Sequence, residues 1–96
     1  MKIDFNKNND ELTVALDGRL DTTTAIDFEE FLDKNYDSKL SLTINCEKLV
    51  YISSAGLRVL LATQKKTKGL MKLTNVCELV MEVFEITGFV DILTIE

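Results

Sequence analysis

Asn45-Cys46-Glu47-Lys48-Leu49-Val50-Tyr51-Ile52-Ser53-Ser54-Ala55-Gly56-Leu57-Arg58-Val59-Leu60-Leu61 is the stretch around which the chain is organised. An apolar strand through Leu40, Leu42 and Ile44 runs into it, an apolar loop is expected to carry the chain over, and a helix begins at two adjacent serines. Ser53 is the predicted N-cap, because its hydroxyl can accept a bond from an unpaired amide of the first turn. Ile52 before it and Leu57 after it have the spacing of a hydrophobic staple, which favours Ser53 over Ser54 as the cap. Ser54 then becomes the first helical residue, close to free amides and to the positive end of the macrodipole, where an anion is welcome. Gly56 has low helix propensity, so it either tolerates strain or leaves room for another backbone to approach; the second reading makes the helix mouth a docking surface. Two serines ahead of an apolar helix are more often a plain cap than a modification site. The local sequence alone names no function.

Working outward, 96 residues make one domain, 1–96, with a single core. A hydrophobic fraction of 46% and a charged fraction of 28% are those of an ordinary globular protein. No apolar run is long enough to span a membrane, and Met1-Lys2-Ile3-Asp4-Phe5 lacks a signal-peptide pattern, so a cytoplasmic protein without a membrane partner is expected. A net charge of −5 argues against a nucleic-acid backbone as partner. Lys65, Lys66 and Lys68 read as a solvated helix end, where cations suit the dipole. Cys46 and Cys77 form no CxxC pair and read as reduced, buried small hydrophobes. With no histidine in the chain, the usual zinc patterns and histidine-based catalysis are excluded, and no cofactor or metal is expected.

Residues 2–7 and 11–17 alternate apolar and polar around Asn8-Asn9-Asp10, which predicts an antiparallel hairpin closed by Gly18. Arg19-Leu20-Asp21-Thr22-Thr23-Thr24 offers several caps for the next helix, and Thr24 with Asp27 has capping-box spacing. Ala25, Phe28, Phe31, Leu32 and Tyr36 form one face of a helix over about 24–36. A strand over 39–45 follows. After the serines, Leu57, Leu60 and Leu61 make the inward stripe of a helix that should end near Lys68 and Gly69. A short strand at 70–74 precedes a helix over 77–87, with Gly88 as its stop and a last strand at 90–95. That helix carries two apolar stripes, Cys77, Val80, Met81 and Phe84 beside Leu79, Val83 and Ile86, with Glu78, Glu82 and Glu85 between; the second stripe needs a cover. Helices alternating with strands after a hairpin imply an α/β fold with a mostly parallel mixed sheet and one antiparallel edge.

With the elements placed, the sequence resembles the STAS family, the domain of bacterial sporulation and stress-response anti-anti-sigma factors. Gly18-Arg19-Leu20-Asp21 looks like the family's Gly-x-Leu-Asp motif, Tyr51-Ile52-Ser53-Ser54-Ala55-Gly56-Leu57 like its phosphorylation segment, and Thr87-Gly88-Phe89 like the step that ends its later helix. The resemblance places the phosphoacceptor on Ser54. It puts Ser53 where the family usually has aspartate, which keeps a capping residue but removes a negative charge. Asp21 matches the aspartate that lies near the acceptor, and the loop from Leu20 to Thr24 is expected to share the docking surface. The partner-binding residues so implied are Asp21, Thr22, Ser53, Ser54, Ala55, Gly56 and Arg58.

What the resemblance implies is a phosphoprotein of transcription regulation and partner switching, not an enzyme. Unphosphorylated, it would bind an anti-sigma factor that is also a serine kinase and so free a sigma factor; phosphorylation of Ser54 would end the interaction and a serine phosphatase would restore it. The alternative is a STAS subunit that docks to a membrane transporter ATPase without a phosphorylation switch. Many members continue into a further helix, so the stripe of Leu79, Val83 and Ile86 could support a weak homodimer; otherwise the protein is a monomer. The acids Asp17, Asp21 and Glu47 read as scattered, and no nucleophile–base pair or glycine-rich phosphate loop is visible.

Overall fold

The computed structural model describes residues 1–96, and its frame is one mixed sheet of four strands in the order β1-β2-β3-β4. β1 (Lys2–Lys7) pairs antiparallel with β2 (Glu11–Leu20), which lies parallel to β3 (Ser41–Ile52), itself parallel to β4 (Met71–Thr74). Three helices join them: α1 (Thr22–Asn35) after β2, α2 (Ser54–Lys66) after β3, and α3 (Glu78–Thr87) after β4. The α/β class, the antiparallel first pair and the parallel remainder are as the sequence pattern predicts.

All the deeply buried strand residues fall on one face of the sheet. Leu12, Val14 and Leu16 of β2 stand beside Leu42 and Ile44 of β3 and Met71 and Leu73 of β4, and Phe28 of α1, Leu60 of α2 and Phe84 of α3 pack into the same cluster. Phe5 of the edge strand meets Phe31 of α1 edge-on, with ring centroids 4.9 Å apart. The opposite face carries Asp4, Asn6, Glu11, Thr13, Ser41, Thr43, Asn45 and Thr74 and is uncovered. Thr43 Oγ1 donates to Glu11 Oε2 across it at 3.3 Å.

The largest departure from the sequence reading is the length of β3. The expected loop after residue 45 is strand as far as Ile52, and Gly18 does not close β2, which runs on to Leu20. The register explains the misreading. Ala15 faces Asn45, Asp17 faces Lys48, Gly18 faces Leu49 and Arg19 faces Tyr51, so β3 holds two more residues than the matching length of β2. Each extra residue is a bulge that shifts the apolar phase by one. The buried positions of β3 therefore run Leu42, Ile44, Cys46, then Leu49, then Ile52, while Val50 is left outside. Gly18 sits opposite this irregularity with φ +117°, a conformation other residues rarely adopt.

Smaller corrections follow from the caps. α2 ends at Lys66 with Thr67 as C-cap, so Lys68 lies beyond the helix and Gly69 in the turn after it. In its inward face Thr63 is buried, donating to Val59 O at 2.7 Å, while Leu61 is half-buried. The expected last strand is instead a 3-10 turn, Phe89–Asp91, and a single parallel bridge between Leu73 and Ile95. Two β-branched residues at Val90 and Ile92 read as a strand, but the αL turn at Gly88 starts a tight coil that closes through Leu93 N to Phe89 O at 2.9 Å. Cys77 is the half-buried N-cap of α3, not a core residue. No helix is long and apolar enough to cross a membrane.

Cys46 behaves as the buried hydrophobe expected: burial, and to a lesser degree Cys77 nearby, pushes its thiol up to about 12. Thiolate is the reactive form, so in native protein at pH 8 Cys46 should resist a thiol-specific disulfide reagent and be modified only as fast as the chain unfolds. Reaction of Cys46 within seconds in the absence of denaturant, measured in a Cys77→Ser background, would contradict this placement.

Candidate functional site

Parallel pairing brings the carboxyl ends of β2 and β3 together, with Leu20 opposite Ile52. Each strand passes into a helix almost at once: Asp21 alone separates β2 from α1, and Ser53 alone separates β3 from α2. The amide of Ser53 continues the ladder by donating to Leu20 O at 2.9 Å. Two helix N-termini therefore open side by side at the carboxyl edge of the sheet, the place where ligands of open α/β sheets usually sit.

At the first mouth, Asp21 caps α1. Its carboxylate accepts from Thr23 N at 3.1 Å and Thr24 N at 3.0 Å, and Asp21 N donates to Thr24 Oγ1 at 2.8 Å, completing a capping box. Thr24 Oγ1 donates onward to Arg19 O at 2.7 Å. The box therefore pairs Asp21 with Thr24 rather than Thr24 with Asp27, and the expected loop from Leu20 to Thr24 is a strand end, one cap and the first helical turn. The hydrogen bond from Thr24 N above all, then those from the Thr24 side chain and Thr23 N, with Arg19 helping, holds the Asp21 carboxyl below its ordinary value of 3.8 against the opposing effect of burial.

At the second mouth, Ser53 is the cap, as its spacing from Leu57 predicts. Its Oγ accepts from Gly56 N at 3.3 Å, and Leu57 N donates to Ser53 O at 2.9 Å. The amides of Ser54 and Ala55 are left without an intrahelical partner. Ser54 is exposed and its hydroxyl makes no hydrogen bond within the chain, while Ser53 is half-buried. Geometry thus separates two serines that sequence leaves adjacent: one holds the helix, the other is presented to solvent.

Gly56 departs from its expected role. It is buried, and a Cβ built on it would lie 2.8 Å from Leu20 Cγ and 2.9 Å from Ile52 Cγ1. The space is taken from inside by the two strand-end side chains, so the missing side chain lets α2 seat on the sheet. Arg58 is exposed one turn beyond Ser54. Together with Thr22, Ala25, Ile26, Glu29, Ala55, Val59 and Ala62 it lines a shallow groove between α1 and α2 that runs away from the two mouths. Ile26, 57% exposed, was missed because it lies off the apolar stripe of α1; an isoleucine on the polar face of an amphipathic helix was the available signal.

Behind the mouths, on the open face of the sheet, the Arg19 guanidinium lies 4.0 Å over the Tyr51 ring. Asp17 and Glu47 are not scattered: with Asp4, Asn45 and Lys48 they line a shallow pocket on that face, apart from Asp21. No three Asp, Glu or Cys side chains anywhere come together in a way that could hold a metal ion.

Comparison with known proteins matches this geometry to a described domain. The model of the STAS domain family matches residues 2–96. BtrV of Bordetella bronchiseptica, a candidate anti-sigma factor antagonist, is 35% identical over 96 residues, covering 96% of this chain and 83% of its own. The anti-sigma-B factor antagonist of Bacillus subtilis is 31% identical, covering 99% of this chain and 90% of its own. The unphosphorylated form of the anti-sigma factor antagonist SpoIIAA superposes with a TM-score of 0.81 at 16% identity, covering 99% of this chain and 88% of its own, a likeness of fold.

Two measurements test the site as built. Gly56→Ala gains helix propensity of about 1 kcal/mol but forces a methyl into Leu20 and Ile52, an overpacking cost of about 1–3 kcal/mol, so denaturant unfolding should show no gain and a net loss of up to about 2 kcal/mol. Because the carboxyl of Asp21 is depressed in the fold, its contribution to stability is present above pH 4 and is lost as pH falls through its folded value. Asp21→Asn keeps a capping side chain without that titration, so the drop in melting temperature from pH 7 to pH 3 should be smaller in the variant than in the wild type. An equal drop would remove Asp21 from the account.

Proposed function

Because the chain belongs to the STAS domain family, we propose that it is an anti-sigma factor antagonist, a regulatory binding protein whose partner-facing surface is the pair of helix mouths and the groove between α1 and α2. The observation that carries this is Ser54: an exposed, unbonded hydroxyl on the first residue of a helix, held in place by a separate capping serine. Relatives named as antagonists of anti-sigma factors at 35% and 31% identity support the partner class.

In this reading the unphosphorylated surface fits an anti-sigma factor that is also a serine kinase. Thr22, Ala55 and Arg58 form the contact rim, Asp21 and Ser53 hold the two helix starts, and Ser54 is the acceptor. Phosphorylation adds about −1.5 to −2 charges and three acceptor oxygens at Ser54. The free amides of Ser54 and Ala55 and the positive end of the α2 dipole accommodate that charge within the protein. A partner surface fitted to a hydroxyl does not, and it meets the ionised Asp21 cap as well. Release is therefore local, by bulk and repulsion, and a serine phosphatase restores the docking state. The groove's mixed lining, with Ile26 and Ala62 beside Glu29 and Arg58, suits a protein surface better than a small molecule.

The test is intact mass with site mapping after incubation with the partner kinase and ATP, on wild type, Ser53→Ala and Ser54→Ala. One phosphate on wild type and Ser53→Ala and none on Ser54→Ala is the expected pattern. Ser54→Asp should weaken kinase binding by tenfold or more, about 1.4 kcal/mol, in calorimetry, with Ser54→Ala binding like wild type. No phosphate on any variant with a kinase active on another substrate would instead favour constitutive docking, for example to a transporter ATPase.

A further inference from the structure

Charge is unevenly placed along this chain. Residues 1–77 contain all 11 basic side chains and 11 of the 16 acidic ones, so they are neutral as a unit; residues 78–96 contain Glu78, Glu82, Glu85, Asp91 and Glu96 and no basic side chain. The whole formal charge of −5 therefore belongs to α3 and the segment after it. Of these five acids only Glu96 has a cation at ion-pair distance, Lys72 Nζ at 3.8 Å.

The same segment carries four exposed large apolar side chains, Leu79, Ile86, Val90 and Ile92. Val80 and Phe84 turn α3 onto the core and Val83 is half-buried against its margin, which leaves Leu79 56% exposed and Ile86 86% exposed along the outer side of the stripe they share with Val83; Val90 and Ile92 are exposed in the segment beyond the helix. Glu78, Glu82 and Glu85 form a parallel stripe one residue earlier in the helical repeat. Glu85 also stands in the last turn of the helix, where the macrodipole is negative and where α3 has no basic residue. An apolar stripe bordered by three glutamates without a cation at ion-pair distance, one of them in the last turn, is stabilised by a cation supplied from outside.

We propose that α3 and the segment following it are a second docking surface, shaped for a basic amphipathic helix of another protein whose apolar face covers Leu79, Val83 and Ile86 and whose lysines or arginines meet Glu78, Glu82 and Glu85. Charge decides between occupants. A second copy applied through the same segment brings five further acids and no basic side chain to answer these glutamates, and bringing like charges together is costly. Anionic lipid and nucleic-acid backbones are repelled by the same stripe. An apolar helix in a shallow apolar surface flanked by complementary charge is a recurrent recognition mode. The surface shares no residue with the Ser54 mouth, so it can hold a partner in either phosphorylation state.

The experiment uses the full chain and a synthetic peptide of leucines and lysines in helical repeat with one tryptophan on its apolar face. The protein has no tryptophan, so the peptide fluorescence reports binding directly. Wild type should give a saturable blue shift that weakens with salt. Ile86→Lys and the double change Glu82→Lys with Glu85→Lys, all at exposed positions, should each bind about tenfold or more weakly, and Ser54→Ala should bind as wild type. The proposal is overturned by absent binding, by equal binding to these variants, or by equal binding of a peptide with glutamate in place of lysine. A wild-type dimer in sedimentation equilibrium that Ile86→Lys dissociates would overturn it in favour of a second copy.

Discussion

The pairing of Leu20 with Ile52 is the constraint on which the rest of the site depends. Two hydrogen-bonded parallel strands must end on the same side of a sheet, and when each is followed by a single capping residue, two helices must start side by side. Asp21 and Ser53 are distant in sequence and neighbours in the fold for this reason alone. The buried Gly56 shows how tightly the arrangement is drawn: Leu20 and Ile52 fill the place its side chain would take, so α2 rests directly on the two strand ends. Slipping β3 by one residue against β2 would turn Ile52 outward while Leu20 still faced the core, and would stagger the two mouths.

Much of this was legible because local chemistry and tertiary structure agree. Ser53 was readable as the cap of α2 from the staple spacing of Ile52 and Leu57, and Gly88 as the stop of α3 because an αL position favours glycine. What escaped the sequence was set by partners remote in the chain. β3 hid behind two bulges that break its alternation, and those exist only in relation to β2. The capping box of α1 went to Asp21 and Thr24 instead of Thr24 and Asp27 because the hydroxyl of Thr24 also reaches Arg19 O at the end of β2. The groove was unreadable for a related reason, since Ile26 and Ala62 look incidental on their own helices and acquire meaning only when α1 and α2 lie together.

Placing every helix on one face divides the molecule's labour. The covered face supplies cohesion through a single cluster in which Phe28, Leu60 and Phe84 meet the strands. The helices, freed from covering a second face, expose their outer surfaces: α1 and α2 the groove beside Ser54, α3 the stripe of Leu79 and Ile86. A charge added at the first residue of α2 falls outside the cohesive cluster, on groups already directed at solvent, so binding can change without the core being disturbed.

The two margins of the sheet are finished differently, and this bears on whether molecules of this protein remain separate in solution. Beyond β4, the chain folds back so that Leu73 N donates to Thr94 O and Glu96 N to Leu73 O, both at 2.9 Å, and those groups are no longer open to a foreign strand. Beyond β1 nothing covers the backbone, but Lys2 and Lys7 stand at its ends, and a strand short in length and charged at both termini is a poor template for fibril growth. A fold that must keep its strand ends aligned to hold Ser54 in place is thereby guarded against the aggregation that a four-stranded sheet, uncovered on one face, otherwise invites.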